Sequence, residues 1–226
     1  MFLISAEKFS LWKKKQITKG GDNHSLTLLI DSLGGLSNIE LNLLKIRKEK
    51  NFNLNLKVNL DLIESYWDRH LNTSIPIQYL SGISFWRNLK LEVSNRVLIP
   101  RPETELFIDI VSGIFKNKEE KITFVDLGTG SGAISIALAL ENPNWSGIAT
   151  DIDKSAIKIA SRNFKTNSNQ TNLQFYNGNW WDPLENFKGE IDLAVSNPPY
   201  IPQETYELLP KEVKSFEPKL ALLGGK

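Results

Sequence analysis

The sequence predicts an α/β protein: a parallel sheet of about four strands covered by helices, preceded by a small helical domain and a β-hairpin connector. Three observations carry this expectation. From Lys121 onward, short apolar runs alternate with helical stretches, the rhythm of strands joined by crossover helices. Before Pro76 apolar residues recur at helical spacing without that alternation. Between the two lies a stretch with paired strand-like runs and two closely spaced prolines, Pro100 and Pro102. The expected boundaries are 1–75 for the helical domain, 76–101 for the connector and 102–226 for the sheet domain.

Composition narrows the chemistry. With 226 residues, 41% hydrophobic and 10% aromatic, the chain can bury a core. Lys and Arg total 27 against 26 Asp and Glu, a net charge of +1, so no broad field grips nucleic acid or an anionic membrane. Absence of cysteine excludes disulfides, thiolate nucleophiles and Cys-ligated zinc. His24 and His70 are the only histidines, so neither a histidine triad nor a multi-histidine metal site is expected. Glu7 and Lys8 interrupt Phe2-Leu3-Ile4 too early for a signal peptide, and no run approaches the ~20 apolar residues of a membrane span. A soluble, cytoplasmic protein without metal or membrane is the expectation.

In the first domain, Ser37 and Glu40 form a capping box ahead of Ile39, Leu43, Leu44 and Ile46, and Asn59 caps a helix bearing Leu60, Ile63, Tyr66, Trp67 and Leu71. Both apolar stripes are expected to be core. The run from Asn51 to Asn55 reads as compositional only. In the connector, Gln78–Gly82 and Leu89–Val93 read as a strand pair. Pro100 and Pro102 stiffen Val97–Glu105 by holding Ile99 and Arg101 extended. Pro102 can open a helix from Glu103 to Phe115, and capping is the plainer reading of Glu103 and Glu105. Strands follow at Lys121–Asp126, Gly147–Asp151, Leu173–Tyr176 and Ile191–Ser196, with helices at Ala133–Leu140 and Lys154–Lys165.

The loop Asp126-Leu127-Gly128-Thr129-Gly130-Ser131-Gly132 falls between strand and helix, where backbone must turn sharply and approach a ligand. Nineteen residues after Gly132, Asp151 closes the next strand, placed to accept both hydroxyls of a ribose. Together they describe a nucleoside cofactor at the carboxyl edge of the sheet. Gly128, Gly130 and Ala133 also satisfy the dinucleotide fingerprint, so this segment leaves NAD and S-adenosylmethionine both open. No Gly-Lys-Ser/Thr is present, which excludes a P-loop.

Asn197-Pro198-Pro199-Tyr200 closes the fourth strand at the same edge. Neither proline has an N–H, and Asn197 is held extended before Pro198. The Asn197 side-chain oxygen and the Pro198 carbonyl then form a rigid pair of acceptors beside the Tyr200 ring. Such a cluster fits a planar NH2 group, taking its two hydrogens and aiming the lone pair at a methyl sulfonium. An amide nitrogen is a poor nucleophile, so orientation and desolvation carry the work and no histidine base is needed.

With these motifs the chain resembles the HemK/PrmC family of class I (Rossmann-like) S-adenosylmethionine methyltransferases. That family methylates the glutamine nitrogen of the Gly-Gly-Gln tripeptide in peptide-chain release factors. The resemblance rests on Pro76–Gly82, Val97–Glu105, the Asp126–Gly132 loop and Val195–Tyr200. It implies S-adenosylmethionine held by Gly128, Thr129, Gly130, Ser131, Gly132, Asp151 and Asn197, with Trp180 walling the adenine. It further implies that Asn197, Pro198, Pro199 and Tyr200 hold the glutamine amide, with Asn197, Pro198 and Tyr200 catalytic. The N-terminal helices would dock a class I release factor, and Arg101 and Glu105 would pin the connector near the site.

Two departures stand out. Asn179 precedes Trp180 where the family usually has an acidic residue; its amide oxygen can still accept from the adenine amino group. The chain stops at Leu222–Lys226, where the family continues through a helix and three strands. An open sheet edge beyond the Asn197 strand and lowered stability are therefore expected. Alternatives are a glutamine methyltransferase for a ribosomal protein, an adenine-N6 nucleic-acid methyltransferase, and a catalytically impaired binding protein. Charge balance and the small helical extra domain weigh against the nucleic-acid reading.

Overall fold

Side-chain caps fix where most of the early helices begin. Ser5 accepts from the Lys8 amide to start α1 (Ala6–Thr18), and Asp22 accepts from the Ser25 amide to start α2 (Asn23–Leu29). The computed structural model describes residues 1–47, 51–115, 119 and 121–225, which fall into two units, Met1–Gly82 and Ile83–Lys226.

In the first unit α2 runs into a π-helical turn, Ile30–Gly34, stopped by left-handed Gly35. The Ser37/Glu40 capping box is present at α3 (Asn38–Ile46), and Asn59 caps α4 (Leu60–Thr73) through the Leu62 amide at 2.9 Å. α4 buries Ile63 and Trp67, one turn apart, against Phe9, Leu26, Leu29 and Ile30. The Trp67 indole donates to the Gln16 carbonyl at 3.2 Å, satisfying its buried N–H.

The structure departs from the sequence expectation at three places in this unit. Leu41 and Leu44 form the buried face of α3, whereas Ile39, Leu43 and Ile46 are exposed. Apolar residues lie all round this short helix, so spacing alone does not select a face. The region is not purely helical: Asn53–Leu56 forms β2, paired antiparallel with β1 (Phe2–Ser5), and Leu54 and Leu56 point inward. Segment Ile77–Ser81 is a short helix, α5, ended by left-handed Gly82, so the first strand of the expected pair begins one residue after that glycine.

The second unit opens with the hairpin β3 (Ile83–Trp86) and β4 (Leu89–Glu92), turning through Arg87 at φ 48°. A 3-10 turn (Pro102–Thr104) leads into α6 (Glu105–Ile114), then β5 (Thr123–Leu127), α7 (Ala133–Glu141), β6 (Ser146–Asp151), α8 (Lys154–Asn167) and β7 (Leu173–Asn177). A second 3-10 segment (Asp182–Phe187) precedes β8 (Leu193–Ser196), followed by α9 (Gln203–Leu208), α10 (Lys211–Phe216) and α11 (Lys219–Leu222). The strands form a parallel sheet in the order β7-β6-β5-β8.

β5 is buried on both faces, which is why it reads as a continuous apolar run. Phe124 packs with Ala149, Leu173 and Val195 under residues of α6, α7 and α8; Val125, Leu127 and Ile148 pack with Leu184 and Phe187 of the 3-10 segment. Helical cover is thus on one face and 3-10 cover on the other. The chain builds outward from β5 through β6 to β7, then returns to place β8 on the other side of β5. That reversal opens a crevice at the carboxyl end of β5. No helix among the described residues is long and apolar enough to cross a membrane.

Candidate active site

The crevice is a cavity of about 380 Å³. Its floor is the loop after β5. Gly128 and Thr129 both donate their amides to the Thr150 carbonyl at 2.9 Å, which ties the loop to β6. Gly128 and Gly130 have φ of 76° and 57°, and a β-carbon at either would meet nothing within 4 Å. Conformation rather than space demands glycine there, and bare backbone faces the cavity. Buried Asn163 of α8 supports the loop by donating to the carbonyls of Ser131 and Glu92 at 2.8 and 3.0 Å.

Asp151 stands at the end of β6. Its Oδ2 accepts from the Gly130 amide and its Oδ1 from the Asp153 amide, both at 2.9 Å, leaving further lone pairs on each oxygen. Burial raises its pKa, with the two amides opposing. Asp126 is buried more deeply, at 1% exposure. Thr129 donates to its Oδ2 at 2.7 Å, while Oδ1 is enclosed without a well-formed hydrogen bond. Loss of hydration pushes this carboxyl up to about 6, against the pull of the Thr129 and Ser135 hydroxyls.

The wall after β7 is held by Asn177, whose amide donates to the carbonyls of Asp151 and Ile152, and by the Gly178 amide, which donates to the Asp151 carbonyl. It presents Asn179 and Trp180, the latter at φ 47° and 45% exposed. On the opposite side Asn197 and Pro199 line the cavity, with the Asn197 amide 3.5 Å from the Thr104 hydroxyl.

The structure therefore gathers Gly128, Thr129, Gly130, Ser131, Asp151, Trp180, Asn197 and Pro199 around one space. Gly132, Pro198 and Tyr200 are not among its lining residues. Gly132 packs instead toward Ile136 and Ala160, and Tyr200 is 76% exposed. Arg101 lines the cavity and pairs with Glu217, whereas Glu105 accepts from the Arg87 amide at the hairpin turn. Neither Glu103 nor Glu105 makes a side-chain cap at α6. The cavity is also lined by Asp126, by Thr104 and by the stretch from Pro218 to Gly225, which closes one side of it, none of them among the expected site residues. The paired Gly224-Gly225 after Glu217-Pro218 was the available signal, since such residues mark a chain turning tightly against something.

A family model, the methyltransferase small domain, matches residues 104–212. A release factor glutamine methyltransferase of Prochlorococcus marinus is 40% identical over 227 residues, covering 98% of this chain and 75% of that protein. One from Synechocystis is 38% identical, covering 98% and 76%. The chain belongs to the release factor glutamine methyltransferase family. One from Bacillus anthracis is 44% identical over 67% of this chain and 53% of its own length.

Members of this family are class I methyltransferases, and the cofactor is S-adenosylmethionine. The residues present fit that molecule. Bare backbone at Gly128 and Gly130 leaves room for a ligand, the buried Asp126 carboxyl lies beside the same cavity, and Asp151 keeps lone pairs for hydroxyls. Trp180 supplies a flat apolar wall. Among the described residues no group of three or more His, Asp or Glu could hold a metal ion.

Proposed function

We propose that the chain transfers a methyl group from S-adenosylmethionine to the side-chain amide nitrogen of the glutamine in the Gly-Gly-Gln motif of class I peptide-chain release factors. The observation that carries this reading is the meeting of Asn197 and Pro199 with Gly130 and Asp151 around one cavity. Carboxylates and bare backbone line one part of it, and Asn197 and Pro199 another, with Arg101 also lining it.

S-adenosylmethionine, when bound, supplies an electrophilic methyl on a sulfonium. Gly128–Gly132, Asp151 and Trp180 would hold it, together with the buried Asp126. Asn197 Oδ1 and the Pro198 carbonyl would accept the two amide hydrogens of the glutamine, fixing the plane of the NH2 group. Thr104 supports the required rotamer, because accepting from the Asn197 NH2 turns the Asn197 oxygen away from itself. As the nitrogen gains the methyl and the sulfur–methyl bond breaks, those fixed oxygens would stabilise the developing positive charge without reorganising, and the nitrogen would then lose one of its two hydrogens as a proton to water. Pro198 and Tyr200, exposed beside the cavity mouth, are suited to meet a protein substrate. Residues 1–75 would serve docking, 76–101 the connection and 102–226 the transfer itself.

Incubation with labelled cofactor and a release factor tests this directly. Label is expected on the Gly-Gly-Gln glutamine, located by mass spectrometry, and not on a release factor with that glutamine replaced. Equal labelling of both would reject the assignment, and incorporation into DNA, RNA or a ribosomal protein instead would redirect it.

A further inference from the structure

Segment Glu217–Gly224 touches both flanks of the proposed acceptor position. Toward the connector, Arg101 Nη2 lies 2.6 and 2.7 Å from the two carboxylate oxygens of Glu217, whose side chain is only 5% exposed. The Arg101 carbonyl is held from the other side by the Trp86 indole at 2.8 Å. Toward the Asn197 loop the contacts are backbone. Pro198, Pro199 and Pro202 donate nothing, so this loop has few amides with which to anchor itself. The Ile201 amide donates to the Leu222 carbonyl, and the Gly224 amide donates to the Ile201 carbonyl, each at 3.0 Å. A β-carbon on Gly224 would stand 2.9 Å from the Pro199 oxygen and 3.0 Å from the Tyr200 α-carbon, both backbone atoms that cannot swing aside.

We propose that Glu217–Gly224 is a strap that sets the geometry of the methyl-acceptor site, with Glu217 positioning Arg101 and the connector, and Gly224 positioning the Asn197–Tyr200 loop. Both are positioning residues, and the inference rests on the acceptor site proposed above. Both carboxylate oxygens of Glu217 meet Arg101 Nη2, so the two side chains hold each other in one arrangement. Two prolines make the Asn197 loop stiff but do not locate it; the paired Ile201 bonds and the close fit at Gly224 do. Displacement of a reacting group by about 1 Å costs on the order of 100-fold in rate.

The test uses Glu217→Gln, Glu217→Ala, Gly224→Ala, Arg101→Ala and the Arg101→Ala/Glu217→Ala pair, each checked for folding by thermal unfolding. The expected result is a fall in kcat of about 10–100-fold for Glu217→Gln and Gly224→Ala, with the cofactor Kd from calorimetry within about 2-fold of wild type. The Arg101/Glu217 double variant should lose no more than the worse single one. Loss of cofactor affinity in proportion to kcat, or unchanged kcat in both variants, would overturn the strap. A second readout needs no acceptor: hydrogen exchange at the Ile201 amide should accelerate at least about 10-fold in Gly224→Ala. Unchanged protection there overturns the strap even if the wild type methylates no release factor, an outcome that would instead remove the proposed function.

Discussion

Asp126 stores electrostatic strain in the free protein. Its pKa of about 6 against an ordinary 3.8 means that the folded chain binds more protons than the unfolded chain between those values. Its contribution to stability is therefore fully present below pH 3.8 and is lost as pH rises through about 6, by roughly 3 kcal/mol at ~1.4 kcal/mol per unit. Glu64, held near 2 by Lys19, tilts the other way, so the wild type alone does not isolate the effect. Denaturant unfolding at pH 4.5 and 7.5 should show Asp126→Asn gaining on wild type at the higher pH. An ammonium bound beside Asp126 would reverse its preference, and cofactor affinity should weaken as pH falls through about 6 in wild type and not in Asp126→Asn, measured by calorimetry.

Asn197 belongs to the same scale but to the other side of the cavity. Its acceptor would act on charge that develops during transfer, so Asn197→Ala should lower kcat by about 100-fold or more while leaving the cofactor Kd nearly unchanged. Asp151→Ala should do the opposite, raising the Kd chiefly. Steady-state kinetics beside calorimetry separates the two.

At the scale of the element, caps and glycines explain more than propensity does. The Ser37/Glu40 box fixes the start of α3 even though the helix has no unique apolar stripe, and Ser37→Ala should cost about 1 kcal/mol, read from the unfolding midpoint in urea. Asn163 and Asn167 of α8 show how elements distant in sequence become one frame. Their side chains bond the backbone of β4 at Glu92 and Lys90, and Asn163 also reaches the glycine loop. No periodicity reveals such bridges, because a buried asparagine on a helix looks like any polar position until its partners are known. The Gln78–Gly82 reading failed for a related reason: five residues between Pro76 and Gly82 suit a single helical turn as well as a strand.

At the scale of the molecule, each unit has its own core, one centred on Trp67 and Phe9, the other on Phe124, Trp145 and α7. Phe124 lies at 0% exposure in β5, its ring centroid 6.2 Å from that of Trp145. Phe124→Ala should destabilise the second unit by about 3–5 kcal/mol and carry cofactor binding down with it, checked by calorimetric unfolding with and without cofactor. Both terms should fall together, unlike the strap variants.

The sequence by itself determined the alternation of strands and helices, the sharp glycine turn between Asp126 and Gly132, Asp151 at the next strand end and Asn197 before its prolines. Each depends on local rules: continuous apolar runs, glycine's access to left-handed angles, proline's lack of an N–H. Only tertiary structure decided which face of α3 is core, that Asp126 is buried, that Arg101 meets Glu217, and that Gly224 closes on Pro199. Those outcomes rest on contacts between segments up to 116 residues apart, whose energies exist only after the chain has closed and water has left.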